Sequence, residues 1–170
     1  MAAWISHRGV RDQGAPQNSL AAFRRAVSLG FDWLETDLHL TADRELILSH
    51  DPIIYGGADQ LDVALNSLQD IMAFSQKHNL QIATFADFAA EFGHLTWTLD
   101  IKLRTGHKVI ERLIEQSSLE TVCGKALDGV RFLTWSRRHQ QELLNYWPQV
   151  IFYADQKSCY MMGLLLLTKL

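Results

Sequence analysis

The amino-acid sequence predicts an α/β fold: a (β/α) barrel that is incomplete, with about six of eight strands present. Three observations lead there. Short apolar runs alternate with helical patterns along the 170 residues, and such alternation builds a parallel sheet covered by helices. His7, Glu35, Asp37, His50, Asp100 and Lys102 all fall at the carboxyl ends of predicted strands. Four successive strands each supply a charged or titratable group there. A closed barrel brings so many strand ends to one rim, whereas an open sheet gathers mainly the strands beside its switch point. Finally, a complete barrel takes ~250 residues, with ~200 near the lower limit, so the C-terminal βα units are expected to be missing.

The elements follow in order. Ala2–Ser6 is a short apolar run that enters a loop through His7-Arg8-Gly9, and Gly14 and Pro16 mark that loop. Asn18 or Ser19 can cap the next helix, whose Leu20, Phe23, Ala26 and Val27 share a face and whose end is marked by Gly30. Asp32–Leu38 is the second strand, parallel to the first. Leu46–Ser49 is the third, and the stretch from Pro52 to Asp59 is a loop. Ser67–His78 and Phe85–Phe92 read as helices, the second with Thr84 and Asp87 in capping-box spacing. Thr96–Lys102 is the fourth strand, with Trp97, Leu99 and Ile101 on one face and Thr98, Asp100 and Lys102 on the other. A helix over His107–Ser118, a strand over Val130–Trp135, a helix over Arg137–Tyr146 and a strand over Val150–Tyr153 complete the pattern. Residues 1–155 thus read as a partial barrel and residues 156–170 as an atypical tail.

Composition bounds the rest. Apolar residues are 48% and charged residues 21%, with a formal net charge of -3, which is ordinary for a globular domain and argues against a broad nucleic-acid surface. Cys123 and Cys159 have no paired spacing, so neither a zinc site nor a disulfide framework is expected. No secretion signal is legible, and the apolar MMGLLLLTKL tail falls far short of the ~20 residues of a membrane-spanning helix. The expected location is cytoplasmic, with no transmembrane segment. Trp4, Trp33, Trp97, Trp135 and Trp147 are expected in the core or against helices.

The stretch Asp32–Asp51, DWLETDLHLTADRELILSHD, carries the chemistry. Residues two apart in a strand point the same way, so Glu35 and Asp37 share a face. Two carboxylates that close repel unless something positive lies between them, and Mg²⁺ or Ca²⁺ is the hard cation that carboxylate oxygens favour. His50 adds a group able to move a proton near neutral pH. His39 follows Asp37 by two and is expected as a turn residue.

The same residues carry a family likeness. His7-Arg8-Gly9, Pro16-Gln17-Asn18-Ser19, Ala22-Phe23, Gly30, Glu35-Thr36-Asp37, Thr41, Asp43, His50-Asp51, Thr84-Phe85 and Asp100-Ile101-Lys102 occur in an order and spacing that resembles the glycerophosphodiester phosphodiesterase family. The resemblance implies a TIM barrel that hydrolyses small-molecule glycerophosphodiesters to glycerol 3-phosphate and an alcohol. It implies Glu35, Asp37 and Asp100 as ligands of a divalent cation, His7 and His50 as catalytic histidines, and Arg8 and Lys102 as phosphate contacts. The chain departs from the family at Gln17, where Glu is usual, at Arg44, where Gly is usual, and at Asp100, where Glu is frequent. IYGGAD also replaces an Arg-Thr-Thr-like run after His50-Asp51.

Those residues suit the reaction. A phosphodiester is an anion that resists attack by another anion, and a divalent ion on a non-bridging oxygen withdraws charge. Arg8 and Lys102 would offset the substrate's charge. Two histidines can divide proton removal and proton delivery, each worth ~10²–10⁴-fold. The nucleophile is either water or the neighbouring glycerol hydroxyl. Two other readings stay open: a lysophospholipid-cleaving phosphodiesterase with an acyl trough near Ile53–Leu61, and a truncated product that binds metal or a partner without turnover.

Overall fold

The computed structural model describes residues 4–12, 14–118 and 130–152. Cys123, Cys159 and the expected tail lie outside them. The elements are β1 (Ser6–His7), α1 (Leu20–Ser28), β2 (Trp33–Leu40), β3 (Leu46–Leu48), β4 (Ile53–Gly56), β5 (Asp59–Asp62), a 3₁₀ turn (Val63–Leu65), α2 (Leu68–Lys77), β6 (Ala83–Thr84), α3 (Phe85–Phe92), β7 (Thr96–Ile101), α4 (Gly106–Ser118), β8 (Arg131–Thr134), α5 (Arg137–Tyr146) and β9 (Ile151–Phe152).

Five of these strands, β1, β2, β7, β8 and β9, pair in parallel and in chain order. They form an incomplete α/β barrel wall, among the described residues. The expected third strand exists but is antiparallel: β2 runs three residues past Glu35-Thr36-Asp37, turns at Thr41–Glu45, and β3 returns along it with Leu38 opposite Leu48 and Leu40 opposite Leu46. Read as a βαβ unit, this segment lacks the crossover that parallel pairing requires, since only five residues separate the two strands. The parallel wall therefore counts five described strands where the sequence suggested about six.

Helix starts follow local chemistry. Ser19, not Asn18, caps α1, its hydroxyl accepting from the Ala22 amide. Ser67 and Asp70 form a full capping box at α2, and Thr84 caps α3. Gly9 has φ +79, and a Cβ there would lie 2.7 Å from the Ala22 backbone. Glycine in His7-Arg8-Gly9 lets the start of α1 pack directly on the loop that follows β1.

The main core lies between the outer face of the sheet and its helices. Leu34 and Leu38 of β2 and Trp97, Leu99 and Ile101 of β7 pack with Phe23 of α1 and Phe85, Phe88 and Phe92 of α3. Phe88 sits at its centre, its ring 4.9 Å from that of Phe23 and 5.1 Å from that of Trp97. A separate small cluster, Ile47, Ile54, Val63 and Ile71, holds the excursion between β3 and β6. The sequence read its first part as a loop, because the β4–β5 hairpin, which turns on Gly57-Ala58, lacks alternating apolar residues. Of the tryptophans, Trp97 is fully buried, whereas Trp4 is exposed, contrary to expectation. Among the described residues no helix is long and apolar enough to cross a membrane.

Phe88→Ala should cost about 3–5 kcal/mol in urea unfolding, because it empties a site with aromatic neighbours on several sides. A loss below ~1 kcal/mol would place the centre of the core elsewhere.

Candidate active site

Strand register builds the site. Asp37 and Asp100 are direct neighbours on β2 and β7, and Glu35 lies one pleat below Asp37, opposite His7 of β1. All three carboxylates are buried, and one oxygen from each lies within 4.8 Å of the others. Three like charges at that separation in a poorly solvated place need positive partners.

Two partners are cationic side chains. Arg8 Nε is 2.9 Å from Asp37 Oδ2, and Lys102 Nζ bridges Asp37 Oδ1 at 2.5 Å and Asp100 Oδ2 at 2.6 Å. Asn18 donates from Nδ2 to Asp37 Oδ2 at 2.8 Å and accepts from the Thr36 hydroxyl at 2.9 Å. Arg8 and Asn18 both take left-handed backbone, with φ 59 and 58, and the Asn18 amide donates to the Arg8 carbonyl. Two non-glycine residues in that region, tied together, aim both side chains at one carboxylate.

Three ionised carboxylates against two cationic side chains would leave one negative charge unmatched. Glu35 avoids it by holding its proton to higher pH. Burial first, then the charges of Asp37 and Asp100, push its pKa up to about 8, despite the Arg8 charge and the Arg8 backbone amide on Oε2. Asp37 goes the other way. Burial raises it, but the bonds from Lys102 and Asn18 and the charges of Lys102 and Arg8 outweigh that and hold it below the usual carboxylate range.

The donor set fits a hard divalent cation. The ligand atoms are carboxylate oxygens, and buried Asp37 Oδ1 accepts no well-aimed hydrogen bond. The 2.5 Å approach of Lys102 to it is ionic rather than in line. Glu35, Asp37 and Asp100 could hold such an ion.

The histidines stand at the mouth. His7 is 66% exposed, with Nε2 3.7 Å from Glu35 Oε2. Burial, then the positive charge of Arg8, lower its pKa, and Asp37 opposes them. His50 lies near enough for its charge to act on His7. It arrives on the return strand: the Ser49 amide donates to the Asp37 carbonyl, which sets the next residue beside the carboxylates. His50 Nδ1 is 2.9 Å from Asp51 Oδ1, so with Nδ1 protonated its Nε2 is the free ring atom. A cavity of about 510 Å³ opens beside it, lined by Gln17, Asn18, His50, Ile53, Tyr55 and Leu80 among others.

The structure thus gathers His7, Arg8, Glu35, Asp37, His50, Asp100 and Lys102 on one rim. It also adds residues the sequence did not single out for the site. Asn18 was readable only as a helix cap. Trp135 donates from Nε1 to Asp100 Oδ1 at 2.8 Å, a contact no spacing could signal. His39 is not in a turn. It is buried in β2, with Nε2 3.3 Å from the His50 carbonyl.

Fold and site together define an α/β-barrel protein with an acidic, cation-ready rim. The model of the glycerophosphoryl diester phosphodiesterase family matches residues 7–142, and the chain belongs to that family. It is 32% identical over 135 residues to YhdW of Bacillus subtilis (strain 168), which is named for glycerophosphodiester phosphodiesterase activity. That match covers 75% of this chain and 52% of YhdW, so the chain spans about half the length of that relative. It is 47% identical over 47 residues to lysophospholipase D GDPD1 of Rattus norvegicus, covering 28% of this chain and 15% of the rat protein. A solved Oleispira antarctica phosphodiesterase, in complex with the product sn-glycerol-3-phosphate, superposes with a TM-score of 0.67 at 19% identity. The superposition covers 89% of this chain and 64% of that one, and the likeness is one of fold.

Because folding raises the Glu35 pKa from 4.5 to about 8, the native state holds a proton that the unfolded chain has already lost. Its contribution is fully present below the unfolded pKa and is lost as pH rises towards the folded one. In chelator-treated protein the melting temperature should carry a component that declines from pH 5 to pH 8 and then levels off. Glu35→Gln should remove that component. Parallel melting curves for the two proteins across this range would refute the assignment.

Proposed function

We propose that this chain carries the site of a metal-dependent phosphodiesterase that hydrolyses glycerophosphodiesters to glycerol 3-phosphate and an alcohol. The observation that carries the reading is the convergence of Glu35, Asp37 and Asp100 within 4.8 Å, beneath Arg8, Lys102 and two histidines. Family membership and the product named for the Oleispira antarctica protein support it.

In this reading the carboxylate trio would hold Mg²⁺ or Ca²⁺, and the ion, when bound, polarises the phosphoryl oxygen. The charge balance favours it. A divalent ion would displace the Glu35 proton, and three carboxylates, two cationic side chains and the ion then sum to one positive charge, which matches a monoanionic phosphodiester. Arg8 offers its guanidinium fork and Lys102 a point charge to the non-bridging oxygens. His7, whose pKa is lowered by burial and by Arg8, is neutral at pH 7 and suited to take the proton of the attacking hydroxyl. His50, its Nδ1–H held by Asp51, would deliver a proton from Nε2 to the departing alkoxide when doubly protonated, and is left as the neutral Nδ1–H tautomer.

A second reading has its own support. The cavity beside His50 has Ile53, Leu80 and Ile82 in its wall, and one short-range relative is named a lysophospholipase D. On this reading the glycerol phosphate half carries an acyl chain that lies in the cavity, and the products are a lysophosphatidate and the headgroup alcohol.

The test is choline release by the 170-residue chain from glycerophosphocholine and lysophosphatidylcholine, with Mg²⁺, with Ca²⁺ and with chelator. Turnover should require the cation and fall about 10²–10⁴-fold in His7→Ala or His50→Ala, with the melting temperature retained. Faster release from the lysolipid would select the second reading. Cation binding without turnover on either substrate would leave a binding protein. Full activity in both histidine variants would overturn the catalytic assignment.

A further inference from the structure

The structure surrounds the Asp100 carboxylate with donors on both sides. Lys102 Nζ holds Oδ2 at 2.6 Å, and Trp135 Nε1 holds Oδ1 at 2.8 Å. Trp135 follows β8 directly. In the β7–β8 register Leu133 lies beside Asp100 and Thr134 beside Ile101. Alternation along the strand therefore places Trp135 on the same side of the sheet as Asp100, one pleat higher. From there the indole N–H reaches down to a carboxylate that is 3% exposed, although the ring itself is 45% exposed. A ring that open is not placed there by the hydrophobic core, so its polar contact is the feature that needs an account.

The two donors differ in kind. The lysine ammonium sits on a flexible stem and is shared with Asp37. The indole is a rigid donor with no other hydrogen-bonding role. Without it, one edge of the Asp100 carboxylate would be held only by a movable cation that belongs equally to its neighbour.

We propose that Trp135 is a positioning residue of the cation site. Its indole N–H fixes the plane of the Asp100 carboxylate and so sets how tightly the trio grips a divalent ion. The inference rests on the reading that Glu35, Asp37 and Asp100 hold a cation. It assigns Trp135 no contact with substrate. Partners that orient ligating carboxylates typically govern metal affinity by about 10–100-fold.

The experiment is calorimetric titration of Ca²⁺ and Mg²⁺ into the full chain and its variants, paired with nuclear magnetic resonance of the indole N–H groups. Trp135→Phe keeps a ring and removes the donor. It should weaken cation binding about tenfold or more while keeping the melting temperature. Trp135→His, which offers an Nε2–H at similar reach, should recover most of that loss. The resonance missing from Trp135→Phe should be exchange-protected in the unmutated protein and lose protection in Asp100→Asn. Asp100→Glu should blunt the effect of Trp135→Phe, because the longer side chain reaches the trio without that anchor. Equal affinities for the unmutated and Trp135→Phe proteins would overturn the role given to Trp135. No cation binding by the unmutated protein would overturn the cation reading itself, and this inference with it.

Discussion

The arrangement turns on one buried carboxylate. Asp37 is 0% exposed in the middle of β2, the strand that pairs with β1, β3 and β7. Burying an ionised carboxylate is costly unless it is paired and hydrogen-bonded. Arg8, Lys102 and Asn18 supply both. Meeting that need draws in the loop after β1, the residue after β7 and the turn before α1. Once Asp37 is satisfied, the positive charge is used up. Glu35 is left buried beside Asp37 and Asp100, and burial first, then their charges, push its pKa to about 8, whereas the partners of Asp37 hold its pKa down. The imbalance is local and follows from where three side chains project from two neighbouring strands.

Much of this was legible in the sequence, and for definite reasons. Period-two alternation put Glu35 with Asp37 and Asp100 with Lys102, and the structure keeps both pairs on one face. Helices with a clear apolar stripe and a cap, such as Phe85–Phe92, have the expected bounds. Failures came where pairing partners decide the outcome. An apolar triplet such as Leu46–Leu48 has no direction of its own. Whether it runs parallel or antiparallel depends on the length of the turn before it, and five residues admit only the return. His39 misled for a related reason. Its place in Asp37-Leu38-His39-Leu40 suits the end of a strand, and only the pairing with β3 extends β2 past it. Trp135 also ends a predicted strand, but an indole offers no charge or titratable group to mark it, and it was read as a packing residue.

The antiparallel return has a chemical consequence. Had Leu46–Leu48 been a parallel strand, its end would have lain one strand further round the wall, and His50 with it. Because β3 folds back on β2, the chain leaves the sheet at the level of Asp37, with the Ser49 amide on the Asp37 carbonyl and His39 on the His50 carbonyl. The small cluster of Ile47, Ile54, Val63 and Ile71 holds the rest of the excursion against this exit, and Ile54, with Leu80 and Ile82 packed against the cluster, lines the cavity beside His50. A piece of secondary structure outside the barrel wall thus places one proposed catalyst and the space next to it.

The site also divides labour between rigid and adjustable parts. Its negative groups, Glu35, Asp37 and Asp100, are all inside strands, where register fixes their spacing. Its positive groups and hydrogen-bond donors, Arg8, Asn18, Lys102 and Trp135, all lie outside strands, three of them immediately after one. Backbone hydrogen bonding holds a strand residue to within the accuracy a metal or a reaction needs, and loop residues are held less strictly. In the proposed reaction a phosphodiester would bring negative charge to strand-held carboxylates, and the cationic side chains would turn from them towards it. Arg8 and Lys102 can do so because each is anchored by the strand it follows and is free beyond it. The fixed acids and movable bases are two halves of one requirement: a centre that keeps its negative charge in place while offering positive charge to whatever anion enters.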